Sequence, residues 1–398
     1  MKKIAFIPCG VLPIPATKGG AVENLVQQLL DLNDLHGKYE MIVYSPYDEK
    51  AKVCSKKYRY TTFIFIQTNG FKHKIQTAFY RVWGIVKSKL SGYDFQNYFL
   101  RQIIKDLRTR GHIDYIIFEN AAKYAIEIHK HFPSSKIIQH YHNIPEEKNI
   151  STVIDKCTDY YFCISAFIKQ KVMEIFNTDD AKAKLFYNSI DVCRFHQTIG
   201  DRRNNLRNKL GIKKDDFVVI YTGRLQPYKG IKELLKGISY IQNNQVKLLV
   251  VGGSFYSGAK KSPFIKELEK FAHRLDDRVV FTGFVPYETI PNYYAIADIA
   301  VVPSLWEEPF ALTALEAMAS SLPVIATKTG GLSEVVNEEC AILLNIDEQL
   351  SGNIAEAIIN LYSNKLLCKK MSLASCEHAK TFAIENYWKR FNELICSL

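Results

Sequence analysis

Short apolar, β-branched strings alternate with amphipathic stretches along almost the whole chain, and this alternation restricts the fold more than any other feature. A strand covered on both faces is a continuous apolar run, whereas a strand with one wet face alternates residue by residue. Residues 4–8, 41–45, 63–67, 115–119, 136–142 and 160–164 have this strand character in the first half. Residues 217–221, 247–252, 279–282, 299–302, 323–326 and 341–344 have it in the second. Helical stretches lie between them; over residues 21–32, Val22, Leu25, Val26, Leu29 and Leu30 fall on one face. Strands separated in this way pair in parallel, with helices on both sides of the sheet. The expected class is therefore α/β. At 398 residues the chain is too long for one core, so two domains are expected. The polar residues 193–210, with Asp201-Arg202-Arg203-Asn204-Asn205, read as the linker.

The totals exclude several classes. A hydrophobic fraction of 47% and a charged fraction of 23% are ordinary for a globular protein. No apolar run approaches the roughly 20 residues that span a bilayer. Pro8, Gly10, Pro13 and Pro15 interrupt the apolar start, which reads as a strand and loop rather than an export signal. The nine cysteines show no C-x-x-C pair and no histidine at metal spacing, so reduced core thiols in a cytoplasmic protein are expected. There is no D-x-D pair to hold a divalent ion. The net charge of +11 favours anionic partners, yet no nucleic-acid-binding motif is present. Between residues 71 and 111, Lys72, Lys74, Arg81, Lys87, Lys89, Arg101, Lys105, Arg108 and Arg110 are interleaved with Phe79, Tyr80, Trp83, Tyr93, Phe95, Tyr98 and Phe99. This composition suits a membrane surface or the anionic face of an acceptor; it equally suits two surface helices whose aromatics face the core.

Chemistry-bearing residues collect where strands end, which is where open α/β sheets bind ligands. Gly19-Gly20 stands at a strand-to-helix junction and lets a ligand approach the backbone. Two later strands end in Glu119-Asn120 and His142-Asn143, and His142 is suited to hydrogen-bonding a substrate. After residue 221 comes Gly223-Arg224-Leu225-Gln226-Pro227-Tyr228-Lys229-Gly230, a loop in which a planar fork and a point charge can meet on one phosphate. After residue 303, Glu308-Pro309-Phe310 runs to Glu316 in an E-x7-E spacing. Pro309 fits the first helical position, and eight positions place both carboxylates on one side of a helix. Its first-turn amides form an anion site, so Glu308 is left for the neutral part of a ligand, such as sugar hydroxyls. Gly330-Gly331-Leu332-Ser333-Glu334 is a second glycine turn before a helix.

Together these residues resemble glycosyltransferase family 4, the retaining group with the GT-B architecture of two Rossmann-like parallel-sheet domains facing across a cleft. The likeness covers almost the whole chain. It implies an N-terminal acceptor-binding domain at residues 1–192 and a nucleotide-sugar-binding domain at 193–380. A final helix, residues 381–398, would cross back to the first. In that family Arg224 and Lys229, following Gly223, hold the diphosphate and neutralise the leaving group. Glu308 binds the sugar hydroxyls, helped by amides of Phe310, Ala311 and Leu312, and Glu316 binds the ribose. Backbone at Phe284-Val285 meets the base, Gly19 and Gly20 lie against the diphosphate, and His142 contacts the sugar near the reacting carbon. Ala311 replaces a usual glycine, and Ser189 replaces the glycine of an Asn-Gly-Val-Asp phrase.

The implied activity is transfer of a hexose from a UDP- or GDP-sugar to an acceptor hydroxyl in bacterial surface polysaccharide assembly, as in capsule or lipopolysaccharide. No metal is required. The implied location is the cytoplasm, or the inner face of the membrane with a lipid-linked acceptor. Two alternatives stand beside this one: an epimerase or hydrolase of the same fold, and a non-catalytic nucleotide-sugar-binding subunit.

Overall fold

The computed structural model describes residues 1–68, 98–195, 201–253 and 262–398. It contains two compact units, Met1–Tyr187 together with Trp388–Leu398, and Asn188–Tyr387.

The first unit is built on strands β1 (Lys3–Pro8), β2 (Glu40–Pro46), β3 (Thr61–Ile66), β4 (Tyr115–Glu119), β5 (Lys136–Tyr141), β6 (Tyr160–Cys163) and β7 (Ala183–Leu185). They lie in the order β3-β2-β1-β4-β5-β6-β7, and every pairing is parallel. The second unit has β8 (Phe217–Thr222), β9 (Val246–Val251), β10 (Val279–Gly283), β11 (Ile299–Val302), β12 (Val324–Thr327) and β13 (Ala341–Leu344). Their order is β10-β9-β8-β11-β12-β13, again all parallel. The expected α/β class with two parallel-sheet domains is the observed one. Each sheet has one point where the chain reverses direction across it, between β1 and β4 in the first and between β8 and β11 in the second.

The strands at these points are apolar because both faces are covered: Ile4, Ala5, Phe6 and Ile7 are fully buried, as are Val218, Val219 and Ile220. Some helix starts carry a side-chain cap. Ser165 accepts from the Ile168 amide at 3.0 Å and starts the helix Ala166–Phe176.

Several expectations are corrected. The presumed linker contains a helix, Asp201–Lys209. The cysteines are free, but only Cys163 and Cys340 are buried, while Cys9, Cys54, Cys193 and Cys396 are exposed. Of the basic and aromatic stretch, residues 71–97 lie outside the described residues. Its described remainder follows the core-facing alternative, for Phe99, Ile103 and Leu107 of the helix Tyr98–Leu107 are buried in the first core. Among the described residues, no helix is long and apolar enough to cross a membrane.

Candidate active site

In the second domain, the loops leaving β8 and β11 are locked together by a close backbone approach. Gly230 has φ +69°, and a Cβ there would stand 1.8 Å from the Pro303 carbonyl oxygen. Only glycine meets both demands. The contact carries Lys229 onto the segment Ser304–Glu308, where its ammonium pairs with Glu308 Oε1. The Leu305 amide donates to the Tyr228 carbonyl at 2.9 Å. Thr327 at the end of β12 and Thr329 just beyond it hold the same segment, donating to the Ser304 and Trp306 carbonyls at 2.6 and 2.7 Å. Gly230→Ala is expected to destabilise by about 2 kcal/mol or more and to displace Lys229. Thermal melting and transfer assays should show both losses.

Glu308 is 5% exposed, accepts from the Ser304 hydroxyl, and receives the Gly331 amide on its backbone carbonyl at 2.6 Å. Lys229 also lies over the Trp306 ring at 5.1 Å and the Tyr228 ring at 5.8 Å, and these two rings are 5.3 Å apart. Its charge is therefore held by a carboxylate and two π faces at once. Arg224 is exposed, and no hydrogen bond or ion pair engages its guanidinium among the described residues. Burial raises the Tyr221 hydroxyl far above the usual tyrosine range; nearby Glu308 raises it further and nearby Arg224 lowers it. Arg224 and Glu308 thus act on one buried hydroxyl. Arg224, Lys229 and Glu308 share one side of this domain.

The E-x7-E spacing does not put two carboxylates on one helix. The helix is Leu312–Ala319, and Pro309 lies before it. Ala311, at φ +60°, turns the chain into the helix and offers no side-chain cap. This left-handed geometry is why glycine suits the position. Ala311→Gly removes strain of about 1 kcal/mol, but the freer unfolded chain offsets much of it. A small rise in melting temperature is expected. Phe310 is core, 2% exposed and 5.7 Å from the Phe382 ring; only its backbone is left for a ligand.

Glu316, on the helix, is 7% exposed and accepts from the Tyr294 hydroxyl at 3.0 Å. Burial pushes its pKa up to about 7, against hydrogen bonds from Tyr294 and Tyr287. Val285 follows the exposed Phe284 at the end of β10, and Phe284 lies across from Gly253 at the end of β9. A cavity of about 870 Å³ at the opposite ends of these strands is lined by residues such as Arg203, Asp298 and Tyr362; of the residues above it takes in Tyr294, but not Arg224, Lys229, Glu308 or Glu316.

In the first domain, Gly19 and Gly20 follow β1, and Gly20 is the N-cap of the helix Ala21–His36. Glu23, in that helix's first turn, is 6% exposed, with its pKa raised chiefly by burial. His142 follows β5 and is 7% exposed. Its Nε2 lies 2.6 Å from Glu119 Oε2, and His140 Nδ1 lies 2.9 Å from the same oxygen. The His142 amide donates to Asn120 Oδ1 at 2.9 Å. Burial opposes ionisation of Glu119, but the two imidazoles outweigh it and hold its pKa down to about 2. Burial and the neighbouring His140 push the His142 pKa down to about 4, with Glu119 opposing. Two donors at about 2.1 Å from a tetrahedral ion stand about 3.3 Å apart or more, so the 2.6 Å separation is that of a hydrogen bond.

Sequence reasoning missed Glu23, Ser304, Tyr287, Tyr294 and His140. His140 was within reach of it, because period-two alternation puts His140 and His142 on one face of a strand. The others became neighbours only through tertiary folding.

Residues 202–377 match the family profile described as glycosyl transferases group 1. YtcC of Bacillus subtilis, named as a glycosyltransferase, is 27% identical over 100% of this chain and 92% of its own length. The lipopolysaccharide 1,2-N-acetylglucosaminetransferase of Salmonella typhimurium is 27% identical over 99% of this chain and 98% of its own. HepE of Anabaena, crystallised with UDP, superposes with a TM-score of 0.77 at 20% identity, each chain covered in full.

Proposed function

Taking residues 202–377 as a group 1 glycosyl transferase domain in a chain of GT-B fold, we propose that the protein transfers a hexose from a nucleotide-diphosphate sugar to an acceptor hydroxyl, with retention at the anomeric carbon. The observation that carries this reading is the Lys229–Glu308 ion pair at the reversal point between β8 and β11, on the same loop as the exposed Arg224, whose charge and that of Glu308 both bear on the Tyr221 hydroxyl. Arg224 brings an unengaged planar fork and Lys229 a fixed ammonium. These suit the charge that builds on a departing diphosphate, where fixed donors cost no reorganisation at the moment of reaction. Glu308 then turns its remaining acceptor capacity to sugar hydroxyls. Glu316 accepts from the ribose, and the backbone around Val285 meets the base.

In a retaining front-face displacement the leaving phosphate takes the acceptor's proton, so the protein supplies position and charge rather than a strong base. Neutralisation by Arg224 and Lys229 then requires no metal. HepE has been solved with UDP and with UDP-glucose, which makes uridine donors the first to try, followed by guanosine ones. The relation to a lipopolysaccharide glycosyltransferase favours an acceptor from bacterial surface polysaccharide assembly.

Thermal shift across nucleotide sugars finds the donor, because a bound ligand stabilises by mass action. NMR of the product then reads the anomeric configuration. Inversion at that carbon overturns the reading. Sugar release or epimerisation without acceptor, at the rate seen with it, favours the hydrolase or epimerase alternative. The basic and aromatic composition of residues 72–95, read from the sequence alone, is the ground for a further proposal, attachment at the inner membrane face. Flotation with vesicles should then depend on anionic lipid and weaken with salt.

A further inference from the structure

We propose that Glu119 is a positioning residue: through one carboxylate oxygen it holds His142 as the Nε2–H tautomer, leaving Nδ1 as a lone-pair acceptor for a hydroxyl of a saccharide substrate. The inference rests on the transferase reading for its ligand and on the first domain's own geometry for the rest. An ionised carboxylate only accepts hydrogen bonds. Both imidazole nitrogens facing Glu119 Oε2, His142 Nε2 at 2.6 Å and His140 Nδ1 at 2.9 Å, must therefore donate to it. A neutral imidazole carries one N–H, so donation from Nε2 strips Nδ1 of its proton. His142 stays neutral at physiological pH, because burial works against its cation. Nδ1 has no protein partner among the described residues, and the side chain keeps 5% exposure.

The clamp has two jaws, both at the end of β4, and they grip the end of the adjacent strand β5. Glu119 holds the ring, while Asn120, at φ +51°, takes the His142 amide on its side-chain oxygen at 2.9 Å. His140 fills the space behind, its ring 4.0 Å from that of His142 and 5.2 Å from that of Phe186. The ring can neither rotate nor exchange tautomers without taking a donor from a buried carboxylate whose other oxygen, Oε1, already has no partner among the described residues. Such a loss is costly in surroundings of low polarity.

Two measurements test this. In protein carrying 15N-histidine, the His142 resonances are identified by their loss in His142→Gln. They should show Nε2 protonated and Nδ1 bare at neutral pH. A protonated Nδ1 at His142 overturns the proposal, and this readout stands whether or not transfer is ever detected. The second measurement is a double-mutant cycle with Glu119→Gln, whose amide permits the other tautomer. Glu119→Gln should lower kcat roughly 10- to 100-fold with little change in donor KM. Adding it to His142→Gln should cost nothing further. Multiplied losses in the double variant would show that Glu119 does not act through His142 and would also overturn the proposal. Should Glu119→Gln fail to fold, the 15N tautomer alone decides.

Discussion

Lys229→Ala is expected to lower kcat roughly 100- to 1,000-fold, and Arg224→Ala by a comparable factor, because each removes a fixed donor from developing phosphate charge. The two variants should part company on stability. Arg224 is exposed and unengaged, and surface substitutions of that kind stay within about 0.5 kcal/mol. Lys229 is the cation partner of a carboxylate that is only 7% exposed on its side chain. Truncating it leaves Glu308 with the Ser304 hydroxyl as its main partner. Removing one member of a buried pair costs about 3–5 kcal/mol; the 20% exposure of Lys229 admits water and reduces this to a few kcal/mol. Steady-state rates and melting curves for the two variants, side by side, test both halves. Full transfer activity in either would refute the assignment of the leaving-group site.

Glu316→Gln should do the opposite of most active-site changes and stabilise the free protein. The folded carboxyl has a pKa of about 7 against 4.5 for the free group. Below pH 4.5 both states keep the proton and Glu316 costs nothing. As pH rises to 7 the unfolded chain ionises first and stability drains away, by about 3 kcal/mol in all. Glutamine removes that buried charge, so its advantage in melting temperature should be full above pH 8 and absent near pH 4.5. His142 has its own pH effect of opposite sign: its folded pKa, about 4, is depressed, and stability falls as pH drops from about 6.5. Comparing Glu316→Gln with the parent at each pH cancels it. Donor affinity should fall by roughly 10- to 150-fold, since hydrogen bonds to a charged acceptor are worth about 1.5–3 kcal/mol. A variant no more stable than the parent at pH 8.5 would mean that the carboxyl is not strained by burial.

Most of the scaffold was legible from local sequence. Every strand expected from an apolar run is present, because a doubly covered parallel strand must be apolar throughout. The glycines at residues 19–20, 223, 230 and 330–331 marked real junctions, since their backbone demands are also local. What stayed hidden depended on three dimensions. The short polar phrase around residues 201–209 looked like linker because its helix has almost no apolar stripe. The carboxylate pair at residues 308 and 316 was placed on one helix because spacing alone cannot show that the chain bends through Ala311 first. Nor does spacing reveal that Lys229 and Glu308, far apart in sequence, neutralise each other, or that Tyr294 lies under Glu316.

The last helix, Ile384–Ser397, has a consequence for how the protein is made. Trp388 and Phe391 pack edge-on against Tyr39, each with a ring separation of 5.9 Å, and Phe391 lies 6.3 Å from Phe6 on β1. These residues complete the first unit, so of the two units the one translated earlier is the later to be finished. A ribosome will have built all of the second unit while the first still shows water an aromatic wound around Phe6 and Tyr39. Until residues 388–398 emerge, the nascent chain should be a client for chaperones, even though more than half of it can already be folded.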